Sequence, residues 1–206
     1  MPAGAGRASN ARFMAEAAKC QTDPCKLARM ILSMSAGLAG QRFFVDLAAN
    51  HPTYGSSTKL LEVHGWDGLC IEPNPEYVKM LRAQRTCALA EVAVDSMERN
   101  MTFRLAGQMS GIEDVRFDNH PHHSDRNLTV QTQLLTNVLR NKSAPREIDY
   151  LSLDVEGAES EVLCPSFAWK SFIFLTLSIE RPPPDLNTRL FQNGYATCET
   201  GTNPCT

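Results

Sequence analysis

The chain has 206 residues, of which 43% are hydrophobic and 21% charged, a composition typical of one soluble globular domain with its own core. Its formal net charge of -3 favours neither a polyanion nor an acidic membrane surface, so we expect no nucleic-acid partner. No run approaches the ~18 apolar residues of a membrane helix, so we expect no membrane span in this chain.

The first part of the chain differs in composition from the rest. Residues 1–40 are rich in Ala, Met, Lys and Arg, and we interpret them as an N-terminal helical cap on the main domain, residues 41–206. The patterns predict helices from Asn10 to Cys20 and from Lys26 to Ser35, with Asp23-Pro24 as a natural helix start.

Beyond residue 41, apolar strand-like runs alternate with helix-like segments. The predicted strands are Arg42 to Leu47, Leu69 to Ile71, Cys87 to Val94, Met101 to Leu105, Ile148 to Val155 and Phe172 to Ile179. The predicted helices are Ser57 to His64, Pro75 to Gln84 with Asn74 as N-cap, Leu134 to Arg140, Ala158 to Leu163 and Asp185 to Gln192. Residues 106–127 show almost no periodicity, which is typical of a functional or disordered segment. The alternation predicts an α/β fold with a mostly parallel sheet and helices on both faces.

Acidic residues recur at the ends of the predicted strands. They are Asp46, Glu72, Asp95, Asp154 and Glu180. Ligands of parallel sheets bind beyond these ends, and a carboxylate after the second strand can accept hydrogen bonds from both hydroxyls of a ribose. The loop after the first strand reads A-x-N-H-P-x-x-G rather than G-x-G-x-x-G, which argues against a nicotinamide cofactor with its pyrophosphate.

Four motifs together resemble the FkbM-type methyltransferases. They are F-V-D-L-A-A-N, L-E-V-H-G-W-D-G-L-C-I-E-P-N-P-E-Y, the Ser110-Gly111 pair and I-D-Y-L-S-L-D-V-E-G-A-E-S-E-V-L, and the similarity covers roughly residues 42–195. The resemblance implies a Rossmann-like class I methyltransferase sheet, S-adenosyl-L-methionine as cofactor and methylation of a hydroxyl oxygen.

The resemblance also implies a set of cofactor-binding positions. The family's first loop reads D-x-G-A-N-x-G, so Asp46 and Asn50 match while Ala48 and Pro52 replace glycines. Ala48 suits this turn if its φ is negative, whereas Pro52 must change the turn locally. The predicted cofactor-binding residues are Asp46, Ala48, Asn50, His51, Glu72, Pro73, Asn74, Val94, Asp95 and Asp154.

Three residues are candidates for the chemistry. Asp154 is the first candidate for the base that accepts the acceptor's proton or for a residue that positions the acceptor. Glu156 has either a catalytic role or a structural one at the start of the next helix. His120 is either a base in a mobile lid or part of an exposed polar loop. Glu159 and Glu161 are interpreted as a solvated helix face.

Whether this site binds a divalent cation is left open by the sequence. Asp154 with Glu180 offers the hard oxygen ligands that such a cation prefers, but the resemblance does not require a metal and we assign none.

The leading function is therefore an S-adenosyl-L-methionine-dependent O-methyltransferase acting on a small-molecule or glycan hydroxyl. The alternative is a catalytically degenerate methyltransferase-fold module that serves binding or interaction, a hypothesis that the replaced glycines favour.

Cysteines and glycosylation sequons leave the compartment open. Cys70 and Cys87 lie in apolar runs and are interpreted as buried thiols, while Cys20 with Cys25 or Cys198 with Cys205 is a possible disulfide. Three N-x-S/T sequons begin at Asn100, Asn127 and Asn141. The protein is thus expected in either the cytoplasm or a secretory lumen.

Overall fold

The computed structural model describes residues 12–16, 24–35, 40–114, 116–117 and 126–198. The described residues form a seven-stranded sheet with six helices and a smaller four-stranded sheet. The strands of the larger sheet are β1 Arg12–Glu16, β2 Phe43–Leu47, β3 Asp67–Ile71, β4 Ala88–Ala90, β9 Glu147–Leu153, β10 Ile173–Ile179 and β11 Tyr195–Cys198. Those of the small sheet are β5 Ala93–Val94, β6 Asn100–Arg104, β7 Gly111–Ile112 and β8 Asn127–Gln133. The helices are α1 Pro24–Ser35, α2 Lys59–Val63, α3 Pro75–Gln84, α4 Leu135–Asn141, α5 Glu159–Val162 and α6 Pro184–Gln192.

The larger sheet has the order β11-β1-β10-β9-β2-β3-β4, and all of its strand pairs are parallel. Alternate residues of its strands enter two hydrophobic clusters. Val45 and Leu47 belong to a cluster with residues of α4, α5 and α6, whereas Phe44 belongs to one with residues of α1, α2 and α3. Because side chains alternate across a strand, the two clusters lie on opposite faces of the sheet. The predicted α/β fold with a parallel sheet and helices on both faces is confirmed.

Local sequence signals account for most element bounds. Helix α3 begins at Pro75, and the Asn74 side chain accepts a hydrogen bond from the Glu76 amide at 3.0 Å, as predicted for the N-cap. The predicted strands and helices over residues 42–71, 134–163 and 172–192 are also observed, with bounds shifted by one or two residues.

Three predictions of secondary structure are wrong. Arg12–Glu16 is not helical but forms β1, which pairs with β10 and β11, so tertiary pairing overrides the local helix propensity. The strand predicted from Cys87 to Val94 is divided into β4 and β5, which belong to different sheets. Strand β8 was not predicted, because its mostly polar residues follow directly on the segment interpreted as irregular and contain no apolar run. The division of the chain at residue 40 stays a prediction.

The prediction that Cys70 and Cys87 are buried thiols is also wrong. The two residues form a disulfide, with their Cα atoms 6.0 Å apart. Cys70 lies in β3, and Cys87 lies immediately before β4, the next strand in the sheet. The proposed pairs at the two chain ends involve residues outside the described part.

Gly68 has a packing role that predicts a large effect of a small substitution. It lies opposite Phe44 in the β2–β3 pair, and a Cβ atom at Gly68 would lie 2.2 Å from Cζ of that fully buried ring. We expect Gly68→Ala to lower the free energy of unfolding by about 1–3 kcal/mol in urea titration, because the core must shift to admit the methyl group.

A second substitution tests whether this contact is the cause. Adding Phe44→Leu to Gly68→Ala should cost less than the sum of the two single changes, since the smaller side chain vacates the space. Strict additivity would contradict this explanation.

Candidate active site

The candidate site lies at the edge of the large sheet where its parallel strands end. Asp46 lies opposite Cys70 on one side and Ser152 on the other, and Ser152 lies opposite Ser178. Two residues further along these strands are Ala48, Glu72, Asp154 and Glu180. The register therefore brings three of the predicted strand-end acids, Glu72, Asp154 and Glu180, to one level, where two neighbouring clefts open.

Glu72 is the most enclosed of these acids. Its side chain is buried, and its two carboxylate oxygens accept hydrogen bonds from the backbone amides of Asn50 and Asn74, each at 2.8 Å. Burial raises the pKa of Glu72 to about 7, although both backbone hydrogen bonds act in the opposite direction. The carboxylate is thus held rigidly between the loops that follow β2 and β3.

The loop after β2 adopts a conformation that suits glycine. Ala48 has φ of +61° and Asn50 has φ of +51°. Asparagine tolerates this left-handed region, whereas for alanine it costs roughly 1–2 kcal/mol. The condition under which Ala48 would suit this turn is therefore not met, because its φ is positive. The backbone amides of Ala48 and Ala49 both donate to the Ile71 carbonyl, at 3.1 and 3.2 Å, and hold the loop in place.

One cleft is narrow and mostly apolar. Its lining combines both sheets with the loops after β2 and β3, and includes Leu47, Ala48, Asn50, Ile71, Glu72, Pro73, Val94, Phe103, Ser110, Gly111 and Ile112. Asn74 lies next to this lining, and its side-chain amide donates to the Ser110 hydroxyl at 3.4 Å. The Ser110-Gly111 pair of the sequence motif thus closes the cleft from the small sheet.

The other cleft is wider and polar, with a volume of about 390 Å³. It shares Ala48 and Asn50 with the apolar cleft, so the two clefts adjoin at the loop after β2. Its lining also includes Asp46, Tyr54, Ser57, Gln108, Met109, Ser152, Asp154, Glu156, Ser178 and Glu180.

Three acids meet at the far side of the polar cleft. One carboxylate oxygen from each of Asp154, Glu156 and Glu180 lies within 4.8 Å of the others. Burial, then a hydrogen bond with Glu180 and the charges of Glu180 and Glu156, raises the pKa of Asp154. Because more than a third of Asp154 remains exposed to the cleft, the charges of the nearby acids are a firmer cause of its raised pKa than burial is. Acids this close could hold a divalent cation, but such clusters are common without one, and we assign no metal.

Arg181 compensates two of these three charges. Its guanidinium contacts Oε2 of Glu156 at 3.3 Å and Oε1 of Glu180 at 3.4 Å. The third carboxylate, Asp154, faces the cleft, which makes it the most available of the three for an incoming group.

In the turn between β9 and α5, Glu159 has the structural role that was considered for Glu156. Oε1 of Glu159 accepts hydrogen bonds from the amides of Val155 and Gly157, each at 3.2 Å, and Glu159 is buried. The interpretation of Glu159 as a solvated residue is wrong, whereas Glu161 is partly exposed and accepts hydrogen bonds from Ser96 and Arg116. Because Glu159 caps this turn, Glu156 is left to face the cleft with a φ of +56°.

Asp46 forms the centre of a buried polar network. It accepts a hydrogen bond from Thr58 Oγ1 at 2.5 Å, and burial raises its pKa while the Thr58 bond and the charge of Arg85 oppose the shift. Arg85 is fully buried, donates to Thr58 Oγ1 at 2.9 Å and pairs with Glu62 at 2.8 Å. Its guanidinium also reaches Pro52 O and Ser56 Oγ, at 3.4 and 3.2 Å. Arg85 therefore fixes the glycine-poor loop between β2 and α2.

Two further predicted site residues are absent from the lining of both clefts, and a third cannot be compared because it is outside the described part of the chain. The Nδ1 atom of His51 accepts hydrogen bonds from the amides of Thr53 and Tyr54, so its observed role is within the turn. Asp95 is buried and paired with Arg99 at 2.8 Å, away from the lining of either cleft. Contact of Asp95 with the cofactor stays a prediction. His120 lies outside the described residues.

Sequence reasoning missed several residues of the site. They are Thr58, Arg85, Ser152, Ser178 and Arg181. A signal existed for the two serines, since L-S-L-D and L-S-I-E each place a serine two residues before a strand-end acid and hence on the same strand face. Nothing in the local sequence marked Arg85, whose partners lie 23 to 33 residues away along the chain.

The fold and this site define a Rossmann-like α/β domain that binds its ligand beyond the carboxyl ends of parallel strands. A family model described as the Methyltransferase FkbM domain matches residues 46–193, well over half of the chain. The chain therefore belongs to the FkbM methyltransferase family. Neither the curated proteins nor the solved structures contain a significant match to it. No helix in the described ranges is both long and apolar enough to cross a bilayer.

Proposed function

We propose that this member of the family is an S-adenosyl-L-methionine-dependent O-methyltransferase that acts on a hydroxyl group of a small molecule or glycan. The observation that carries the proposal is the position of Glu72, a buried carboxylate held by two backbone amides beside an apolar cleft. The polar cleft, which contains the acidic cluster, adjoins the apolar cleft at Ala48 and Asn50.

The apolar cleft suits the adenosine part of this cofactor. Val94, Phe103 and Ile112 provide apolar surfaces for the flat adenine ring. Ionised Glu72 can accept hydrogen bonds from both ribose hydroxyls, and bonds to a charged acceptor are the stronger kind. Asn74 and Pro73 hold the start of α3 against this carboxylate.

The shared loop would hold the sulfonium end of the cofactor. Ala48 and Asn50 line both clefts, so a ligand whose adenosine lies in the apolar cleft would extend its methionine part over them. The nearby negative charges of the polar cleft favour a cationic sulfonium over a pyrophosphate, which they would repel.

The acidic cluster supports transfer to oxygen. A lone pair of the acceptor hydroxyl would form a bond to the methyl carbon while the carbon–sulfur bond breaks, leaving neutral S-adenosylhomocysteine. The hydroxyl proton would pass to the ionised form of Asp154, whose raised pKa makes this carboxylate more basic than an ordinary one. Most of the acceleration would come from holding acceptor and sulfonium in line.

A second candidate is a degenerate module of this family that binds the cofactor poorly and serves as an interaction module without catalysis. Ala48 favours it, because a side chain in the left-handed region of the cofactor loop carries strain that glycine would not. The two candidates differ in whether the protein binds S-adenosylhomocysteine and turns over.

The first experiment is calorimetric titration of the full chain with S-adenosylhomocysteine and, in parallel, with NAD. We expect binding of the first alone. Glu72→Gln should weaken this binding at least tenfold, because the amide removes the charge and one acceptor position. Glu91→Gln is the matched control, since Glu91 is an exposed acid directly after β4 and should leave affinity unchanged. Binding of neither ligand would favour the degenerate module, and NAD binding would contradict both candidates.

The raised pKa of Glu72 predicts a pH dependence of this binding. The ligand requires the ionised carboxylate, whereas in the free protein the proton leaves only around pH 7, above the ordinary value of 4.5. Affinity should therefore fall as pH is lowered below about 7, by up to about tenfold per pH unit, and level off above it. Titrations of wild type and Glu72→Gln across this pH range test whether Glu72 is the titrating group, because the affinity of the variant should not fall as pH is lowered. An equal slope in both proteins would assign the titration to another group.

A further inference from the structure

All three sequons of the chain lie in described residues and are exposed. Asn100, Asn127 and Asn141 each have an exposed side chain, as do the hydroxyl residues that complete their sequons, Thr102, Thr129 and Ser143. A glycan on any of the three asparagines would project into solvent without displacing a buried group. This is the condition that an N-glycosylation site in a folded protein must meet.

The small sheet places two of these sequons side by side. In the antiparallel pair of β6 and β8, Asn100 lies opposite Gln131, and Thr102 lies opposite Thr129. Asn127 lies two residues before Thr129 on the same face. On this outer face Asn100, Thr102, Asn127, Thr129 and Gln131 are polar and exposed, whereas Arg104, which lies opposite Asn127, is buried and pairs with Glu113.

The opposite face of the same strand pair is apolar. Met101 lies opposite Val130 and Phe103 opposite Leu128, and all four belong to one hydrophobic cluster. Phe103 also lines the apolar cleft. Glycans on the outer face would therefore lie on the far side of the small sheet from the ligand site and would not obstruct it.

The third sequon lies at a helix end. Asn141 is the last residue of α4, and Ser143, with φ of +54°, lies in the turn that follows. Side chains here face solvent, whereas the apolar side of α4, including Leu135, Val138 and Leu139, is buried in the main core. A glycan at this end would leave the packing of the helix unchanged.

The disulfide is an independent observation that points to the same compartment. Cys70 and Cys87 are joined within the hydrophobic cluster behind β3, where Cys70 is fully buried. Such a bond persists in oxidising compartments and is rare where glutathione and thioredoxin keep thiols reduced. In the described part of the chain, the free cysteine Cys164 is buried.

We propose that the protein matures in an oxidising secretory lumen and carries N-linked glycans on the outer face of the small sheet and at Asn141. The donor would be an oligosaccharide linked to a lipid diphosphate. The asparagine Nδ2 atom forms a bond to the anomeric carbon, the bond from that carbon to the diphosphate oxygen breaks, and one amide proton is lost to a base of the transferring enzyme. The Asn127 amide keeps one N–H, which preserves its 3.5 Å contact with Glu113. Disulfide formation passes two electrons and two protons from the thiols to a disulfide oxidant.

The first test uses the chain isolated from the cells that make it. Free thiols are alkylated under denaturing conditions before any reduction, and the peptides are mapped by mass spectrometry with and without enzymatic deglycosylation. We expect a linked Cys70–Cys87 peptide pair and the conversion of at least one of Asn100, Asn127 and Asn141 to aspartate on deglycosylation. Three unmodified asparagines would overturn the proposal, and so would alkylation of both cysteines.

A second test assigns the sites with matched substitutions. The full chain is directed through the secretory pathway of a eukaryotic cell by a cleavable signal. Thr129→Ala should remove one endoglycosidase-sensitive step in gel mobility, whereas Thr129→Ser, which keeps the sequon, should retain it. The same pair at Thr102 should behave alike. A chain that leaves the pathway folded and without any glycan would contradict the proposal.

Discussion

Replacing Asp154 with asparagine is expected to lower the rate of methyl transfer by about 10²–10⁴-fold while S-adenosylhomocysteine affinity changes little. Asparagine has nearly the same shape but cannot accept the proton of the acceptor hydroxyl. The variant should fold at least as well as wild type, because it removes one negative charge from the cluster with Glu156 and Glu180. The measurement is transfer of a labelled methyl group to the acceptor that a screen of hydroxylated small molecules and glycans identifies.

The control for this experiment lies on the same strand. Glu147 is the exposed first residue of β9, at the end opposite to Asp154, and Glu147→Gln should leave turnover unchanged. Wild-type turnover should also rise with pH through the raised pKa of Asp154, since only the ionised carboxylate is a base. The residual turnover of Asp154→Asn should not show this rise with pH. Wild-type turnover in Asp154→Asn would exclude Asp154 as the base.

Replacing Arg85 with methionine is expected to lower the free energy of unfolding by about 3–5 kcal/mol. The Arg85 side chain is completely buried and pairs with Glu62, which is itself almost fully buried, so the substitution leaves this acid with the partly exposed Lys59 as its remaining ion-pair partner. It also removes the donors that reach Thr58 and the loop before α2. Urea unfolding measures the stability, and titration with S-adenosylhomocysteine should show weaker binding because this loop borders the polar cleft.

Arg82 provides a matched control three residues earlier. It forms an ion pair with Glu91, but its side chain is 64% exposed, so Arg82→Met should change stability by less than about 0.5 kcal/mol. Adding Glu62→Gln to Arg85→Met should recover part of the loss, because the buried negative charge that has lost its buried partner is then removed. Equal effects of the Arg82 and Arg85 substitutions would contradict the role assigned to Arg85.

Residues whose role depends on nearby sequence were predicted well. The strand that ends at Leu47 and the helix that begins at Pro75 are marked by apolar runs, by Asn74 and by proline, all within a few residues. Glu72 and Asp154 were selected because parallel strands bring their carboxyl ends to one edge, and the structure places both residues there.

Residues whose role depends on distant partners were not predicted. Arg12–Glu16 forms a strand only because β10 and β11 flank it, although both lie more than 150 residues away along the chain. The Cys70–Cys87 disulfide likewise requires the adjacency of β3 and β4. Local propensity contains neither kind of information.

By itself, the sequence determined the family, the parallel α/β fold and the level at which Glu72 and Asp154 lie, because strand periodicity and helix capping are local properties. Only the tertiary structure decided that Ala48 has a positive φ, that Arg85 holds the loop and that Glu159 rather than Glu156 caps its turn. These features result from contacts between strand ends and loops that meet only when the sheet has formed.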